Sequence, residues 1–183
     1  MKKYLLILLT ALFSMTVSAQ NDNMPSLKAG DMAPEFAALD TLGTKQWLKD
    51  YREEYVVLDF WASWCGDCRR EIPALKAVQA TFRNEIVNGT DIAWLSVSFD
   101  DDKTAWRNAL RKYRMPWAQL SNGIAWKDNP IAKKYDLHWI PSFFVLDTKG
   151  KIIGTAITAE GVHKILCELT GKDIPFESLN IEN

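Results

Sequence analysis

The 183 residues carry 22 Lys and Arg against 23 Asp and Glu, a formal charge of −1, with the basic residues scattered rather than gathered into a block. That balance argues against a nucleic-acid partner. Hydrophobic residues make up 48% of the chain and charged ones 25%, which excludes a disordered chain and provides for one full hydrophobic core.

At the amino terminus, Lys2 and Lys3 precede an apolar run over residues 4–17 and a small-residue Val17-Ser18-Ala19 site before Gln20. This is the layout of a cleaved secretory signal, residues 1–19. The run contains Thr10, Ser14 and Thr16 and is shorter than the ~20 residues needed to span a bilayer. Loss of residues 1–19 leaves 164 residues at a formal charge of −3. The expected mature protein is soluble and periplasmic or otherwise exported; the alternative is a protein tethered by an uncleaved N-terminal segment.

A polar linker over residues 20–29 leads into a single domain over residues 30–171. Residues 35–47 read as a hairpin turning at Asp40 to Gly43. Residues 55–61, rich in β-branched and aromatic side chains, read as a buried strand, and residues 67–82 carry apolar positions at helical spacing. A second strand is expected over 92–99, then a helix over about 102–114 that closes before Pro116. A tryptophan-containing stretch follows and is expected to be loop. Residues 142–146 and 151–155 flank the turn Asp147-Thr148-Lys149-Gly150 and predict two antiparallel strands. A final helix over about 158–169 ends at Gly171, and residues 172–183 read as a loop-like tail. Strands alternating with helices and ending in a hairpin plus helix predict an α/β fold, a mixed sheet covered on both faces.

Export places thiols where they tend to be oxidised, yet the chain has three cysteines, Cys65, Cys68 and Cys167. Two of them lie in Cys65-Gly66-Asp67-Cys68, a loop too short for a bridge to restrain the unfolded chain much. The pair therefore reads as chemical rather than structural, and Cys167, in an amphipathic helix, as a buried small hydrophobe. Covalent haem attachment would need His after the second cysteine, where Arg69 stands. A zinc site would need ligands beyond His138 and His163, so no metal is assigned. A peroxidatic cysteine would have Thr or Ser three positions before it, whereas Ser63 stands two before Cys65.

The segment Asp59-Phe60-Trp61-Ala62-Ser63-Trp64-Cys65-Gly66-Asp67-Cys68 resembles the active-site segment of thioredoxins. Glu71 and Pro73 after the cysteines, Ile140-Pro141 before a late strand, the Ala33-Pro34-Glu35-Phe36 opening and an extra strand-helix segment over roughly 81–128 resemble the exported TlpA/ResA-like branch of that superfamily. The resemblance covers about residues 30–170. It implies a thioredoxin fold with an N-terminal hairpin extension and one strand-helix insertion.

Thiol exchange needs a thiolate, and unpaired amide hydrogens at a helix start favour negative charge. Cys65, at the turn, is expected to be the exposed nucleophile, and Cys68, three residues on and on the covered side, the resolving cysteine, with a reversible Cys65–Cys68 disulfide between them. Asp59, inside an apolar strand, is expected to be buried with a raised pKa and to accept the Cys68 proton. Glu71 lies one helical turn beyond Cys68 and by resemblance shares that role. Thioredoxins carry a lysine beside the buried aspartate, and residues 92–99 contain none. Asp67 replaces the usual proline and either opposes a thiolate at Cys65, with Arg69 expected to offset part of this, or is a helix-start residue of no redox consequence. Strongly oxidising members depend on a very stable thiolate, so the reading is a reductant or moderate exchanger. Pro73, with no amide hydrogen, is expected to kink its helix.

The resemblance implies a cis Ile140-Pro141 bond presenting Ile140 to an extended substrate peptide, with Trp64 and Trp139 supplying apolar contact. The reaction needs no cofactor. The expected partners are exported proteins with reducible disulfides and a membrane thiol-disulfide electron donor. A copper- or zinc-handling module and a non-catalytic redox sensor of the same fold are the alternatives.

Overall fold

The computed structural model describes residues 23–181, so the signal segment and the first residues of the linker lie outside the described residues. Among the described residues no helix is long and apolar enough to cross a membrane. In chain order the elements are β1 (Ala37–Asp40), β2 (Lys45–Trp47), β3 (Tyr55–Trp61), α1 (Gly66–Phe82), β4 (Ile92–Ser98), α2 (Lys103–Tyr113), β5 (Ala118–Ser121), α3 (Pro130–Lys134), β6 (Ser142–Leu146), β7 (Ile152–Ala156) and α4 (Ala159–Thr170).

They build one seven-stranded mixed sheet in the order β2-β1-β5-β4-β3-β6-β7. β3 lies between β4, to which it is parallel, and β6, to which it is antiparallel. All seven residues of β3 are buried, as expected of a strand covered on both faces. Alternation sends Val56, Leu58 and Phe60 into a core shared with Trp106 and Ala109 of α2 and Ile131 of α3. Val57 goes to the opposite core, beneath Leu75, Val78 and Phe82 of α1 and Val162 and Leu166 of α4. Phe60 anchors the first core by ring contacts with Phe36, Phe99, Tyr135 and Phe144.

Local chemistry sets the ends of these elements. Asp40 Oδ1 accepts from the amides of Leu42 and Thr44, which closes the β1–β2 hairpin, and Asp147 Oδ1 does the same for Lys149 and Lys151 between β6 and β7. Asp102 caps α2 by accepting from the Thr104 and Ala105 amides. Thr158 caps α4 through the Gly161 amide, and Gly171 ends that helix at φ 68°, a left-handed conformation suited to glycine. α1 runs through Pro73 as one continuous helix.

Three segments depart from the expectations. The tryptophan-containing stretch is not all loop: β5 pairs parallel to β4 and antiparallel to β1, and α3 starts at an Asn129 cap followed by Pro130. β5 has only four residues and places Gln119 and Ser121 at buried positions, so its strand character comes from pairing with β4 rather than from an apolar pattern. The tail is docked rather than loose. It forms a 3-10 turn at Phe176–Ser178, and Ile174, Phe176 and Leu179 pack against the α1–α4 core. Cys167, read as buried, is only partly so, with its sulfur 3.6 Å from His163 Nε2.

The α2 cap gives a direct test. Replacing Asp102 with Ala leaves two amides without their acceptor and should lower unfolding stability by about 1 kcal/mol, read as a lower denaturant midpoint at unchanged slope.

Candidate active site

The carboxyl ends of the parallel strands β3 and β4 and the amino end of the antiparallel strand β6 meet at one edge of the sheet, which gathers three segments distant in sequence. The first is the turn after β3. Cys65 is the cap of α1, its Sγ accepting from the Cys68 amide at 3.0 Å, and it is disulfide-bonded to Cys68 with a Cα–Cα distance of 5.3 Å. This lies within the span a disulfide accepts. The contrast in exposure is smaller than expected: Cys65 is 7% exposed and Cys68 2%. Cys65 nevertheless lines a surface groove that Cys68 does not reach.

The second segment follows β4. Asp100 is buried, and its carboxylate accepts from the Ser63 amide at 2.9 Å, the Ser63 hydroxyl at 2.5 Å and the Ser98 hydroxyl at 2.6 Å. Arg69 Nη1 donates to the Ser63 carbonyl at 2.8 Å, so the cysteine turn is held at both faces of Ser63. Arg69, expected to offset part of the effect of Asp67 on Cys65, is thus held on the backbone of the cysteine turn. The ion pair to Asp67 comes instead from Arg70, three residues along the helix, and it lies at the surface. Asp100 had no sequence signal, because its two bonds to Ser63 depend on β3 and β4 ending side by side.

The third segment precedes β6. The Ile140-Pro141 bond is cis, and the Ile140 carbonyl oxygen lies 3.5 Å from Cys65 Sγ. Trp64, Cys65, Trp126, His138, Trp139 and Ile140 line an open groove of about 310 Å³. Trp64 is 55% exposed and Trp139 37%, and the Trp64 and Trp126 rings lie 6.4 Å apart. Trp126 belongs to the short 3-10 turn Trp126–Asp128 and carries no signal in the sequence; it reaches the groove only through the placement of that turn beside Phe99.

Asp59 lies on the α1 and α4 side of β3, by alternation from Val57. It is 5% exposed, and burial pushes its carboxyl up to about 7. A hydrogen bond from Ser96 Oγ to Oδ2, 2.6 Å, pulls the other way. Ser96 stands directly opposite Asp59 in the β3–β4 register, on a stretch that carries no lysine. Glu71 is half-buried, and its Oε2 accepts from the Ala159 amide at 2.7 Å at the start of α4. A carboxylate at a helix start is favoured electrostatically, so Glu71 also joins α1 to α4. Among the described residues, no group of three or more His, Cys, Asp or Glu is arranged to hold a metal ion.

The arrangement is suited to thiol-disulfide exchange. A pair of sulfurs stands at a helix start, one of them faces a groove with peptide hydrogen-bonding groups, and a buried acid stands on the side covered by that helix.

The comparisons agree with this chemistry. The model of the AhpC/TSA family matches residues 29–155. The thiol-disulfide oxidoreductase ResA of Bacillus subtilis is 27% identical over 149 residues, 81% of this chain and 78% of the relative. A thioredoxin-like protein of the same organism is 27% identical over 143 residues, 76% and 79% of the two chains. A solved thiol-disulfide oxidoreductase from Bacteroides fragilis superposes with a TM-score of 0.68 at 29% identity over 76% of this chain and 99% of the other. The thioredoxin domain of a Bacteroides vulgatus thiol-disulfide oxidoreductase, TM-score 0.70 at 24% identity over 79% and 99%, shares the fold.

Asp59 makes stability depend on pH with a defined sign. Its folded pKa is raised, so the unfolded chain ionises this group above about pH 4 while the folded one keeps its proton until about pH 7. Stability from this group is therefore fully present below pH 4, falls as the pH rises to 7 and is level above. In the oxidised protein, wild type should lose on the order of 4 kcal/mol relative to Asp59→Asn across that window. Denaturant unfolding of both proteins at several pH values measures it, and parallel stability curves would show that Asp59 is not shifted.

The matched family model spans well over half of the sequence: the chain belongs to the AhpC/TSA family and is a thiol-disulfide oxidoreductase of thioredoxin fold.

Proposed function

We propose that the protein is an exported reductase of disulfides in other exported proteins, regenerated by a membrane thiol-disulfide donor. The observation that carries this reading is the groove that brings Cys65, and not Cys68, against the Ile140 carbonyl. An extended substrate segment laid along that carbonyl in strand-like pairing presents its disulfide to Cys65. Export rests on the signal-like layout of residues 1–19. The reducing direction rests on Asp67, whose carboxylate beside the helix start disfavours a highly stable thiolate.

In the first step the Cys65 thiolate attacks one sulfur of the substrate disulfide. A Cys65–substrate disulfide forms, the substrate S–S bond breaks, and the departing thiolate takes a proton from solvent. In the second step the Cys68 thiol gives its proton to the Asp59 carboxylate, and the new thiolate attacks Cys65 Sγ. The mixed disulfide breaks, the second substrate sulfur leaves and is protonated, and the chain is left as the Cys65–Cys68 disulfide. Two electrons have passed to the substrate, and the donor dithiol returns them. Glu71 serves the same proton transfer from its fixed place at the start of α4. Glu71→Gln keeps an oxygen for the Ala159 amide while removing the base, so slower resolution in that variant reports proton transfer rather than helix packing.

The roles of the two cysteines can be separated by trapping. Cys68→Ser, expressed with its own amino-terminal segment, should accumulate covalent complexes with cysteine-bearing proteins outside the inner membrane, and Cys65→Ser should accumulate almost none. Equal trapping by both variants would overturn the assignment. Purified protein should reduce insulin without binding copper or zinc stoichiometrically; the opposite pair of results would favour the metal-handling module.

The groove makes a separate prediction. Trp126→Ala should raise KM for a protein disulfide roughly fivefold or more while leaving kcat nearly unchanged, because the indole contacts bound substrate in ground and transition states alike. Steady-state kinetics on insulin against a small disulfide, which should show no such change, provide the check.

A further inference from the structure

The Asp59 carboxyl is one end of a chain of three side chains drawn from three strands or their approaches. Trp117 Nε1 donates to Ser96 Oγ at 2.7 Å, and Ser96 Oγ donates to Asp59 Oδ2 at 2.6 Å. The direction follows from chemistry: an indole nitrogen can only donate, so the hydroxyl accepts from it and has its single hydrogen left for the carboxyl. Ser96 is fully buried and stands opposite Asp59 in the β3–β4 register. Trp117 sits just ahead of β5 and is held there by its ring contact with Trp94, centroids 5.9 Å apart.

We propose that Ser96 and Trp117 are positioning residues for the exchange reaction: they hold Asp59 Oδ2 as a fixed acceptor and leave Oδ1 as the atom that takes the Cys68 proton and later returns it to solvent. The inference rests on the proton-transfer role proposed for Asp59 and adds the device that sets it. It assigns that work to two neutral side chains. A lysine would stabilise the carboxylate by charge. A hydroxyl polarised by an indole N–H stabilises it by a hydrogen bond that strengthens as Asp59 ionises.

Other charges do not account for the same effect. β4 and β6, the neighbours of β3, carry no charged side chain. On α1, Glu71 is bound to the Ala159 amide, and Asp67 and Arg70 pair at the surface. On α4, His163 is buried between Phe82 and Phe176 and is held towards its neutral form by that burial. Burial raises the Asp59 carboxyl and the Ser96 bond lowers it.

The test follows the Asp59 proton directly, from the infrared band of its carboxylic acid in the oxidised protein against pH, with Asp59→Asn as the baseline. The rate at which a preformed mixed disulfide resolves is followed over the same range. Ser96→Ala should move the infrared midpoint upward by about one to two pH units, the worth of a hydrogen bond to a charged group. Trp117→Phe, which keeps a ring and removes the donor, should move it in the same direction by less. In both variants the resolution profile should move with the midpoint and reach the wild-type plateau at high pH, which a packing defect would not produce. Midpoints equal to wild type in both variants would overturn the inference. Trp117→Phe, at a half-buried position, decides it even if Ser96→Ala folds poorly. Unchanged resolution in Asp59→Asn would instead overturn the proton-transfer role of Asp59, whatever the two midpoints show.

Discussion

A carboxylic acid buried in the central strand is the constraint on which the rest of the site depends. β3 is covered on both faces, so each of its side chains must enter one of two cores. Asp59 falls on the side of α1 and α4, within reach of Ser96; one position earlier or later it would face the aromatic cluster around Phe60. Desolvation then does chemical work. It brings the acid from the ordinary carboxylate range up to about 7, where it can both accept and release a proton under mild conditions.

Sheet topology supplies the second requirement, a common meeting point. Parallel strands end at the same edge, and an antiparallel neighbour begins there. The cysteine turn after β3, Asp100 after β4 and the Ile140-Pro141 bond before β6 are brought together for that reason. Each stabilises another: Asp100 and Arg69 hold Ser63, Ser63 precedes the cysteine turn, and the turn sets Cys65 against the Ile140 carbonyl. The polar groups there are satisfied by one another, as buried hydrogen-bonding groups must be.

The surface electrostatics are more local than the spacing of the charges alone implies. Asp67 stands beside the helix start, but Arg70 lies over it, while Arg69 is turned to the backbone. Glu71 combines two places in the fold, one turn beyond Cys68 and at the cap of α4. A single carboxylate thus links the helix bearing the cysteines to the helix packed against it.

What the residues determine on their own is short-range. The two cysteines at a helix start, the apolar strand with one acid inside it, the Asp40 and Asp147 turns and the Gly171 helix end are all set by neighbours within a few positions, and each is where the sequence places it. The cis bond at Pro141 followed from resemblance, not from local propensity. Tertiary structure decided the remainder. β5 is a strand because β4 offers it a partner, Trp126 reaches the groove because its turn is placed there, and the bonds of Asp100 to Ser63 and of Ser96 to Asp59 each cross 37 positions of chain. Serine, tryptophan and aspartate at such places carry no periodic signal. Their roles depend on direction and distance between groups that only packing brings within hydrogen-bonding reach.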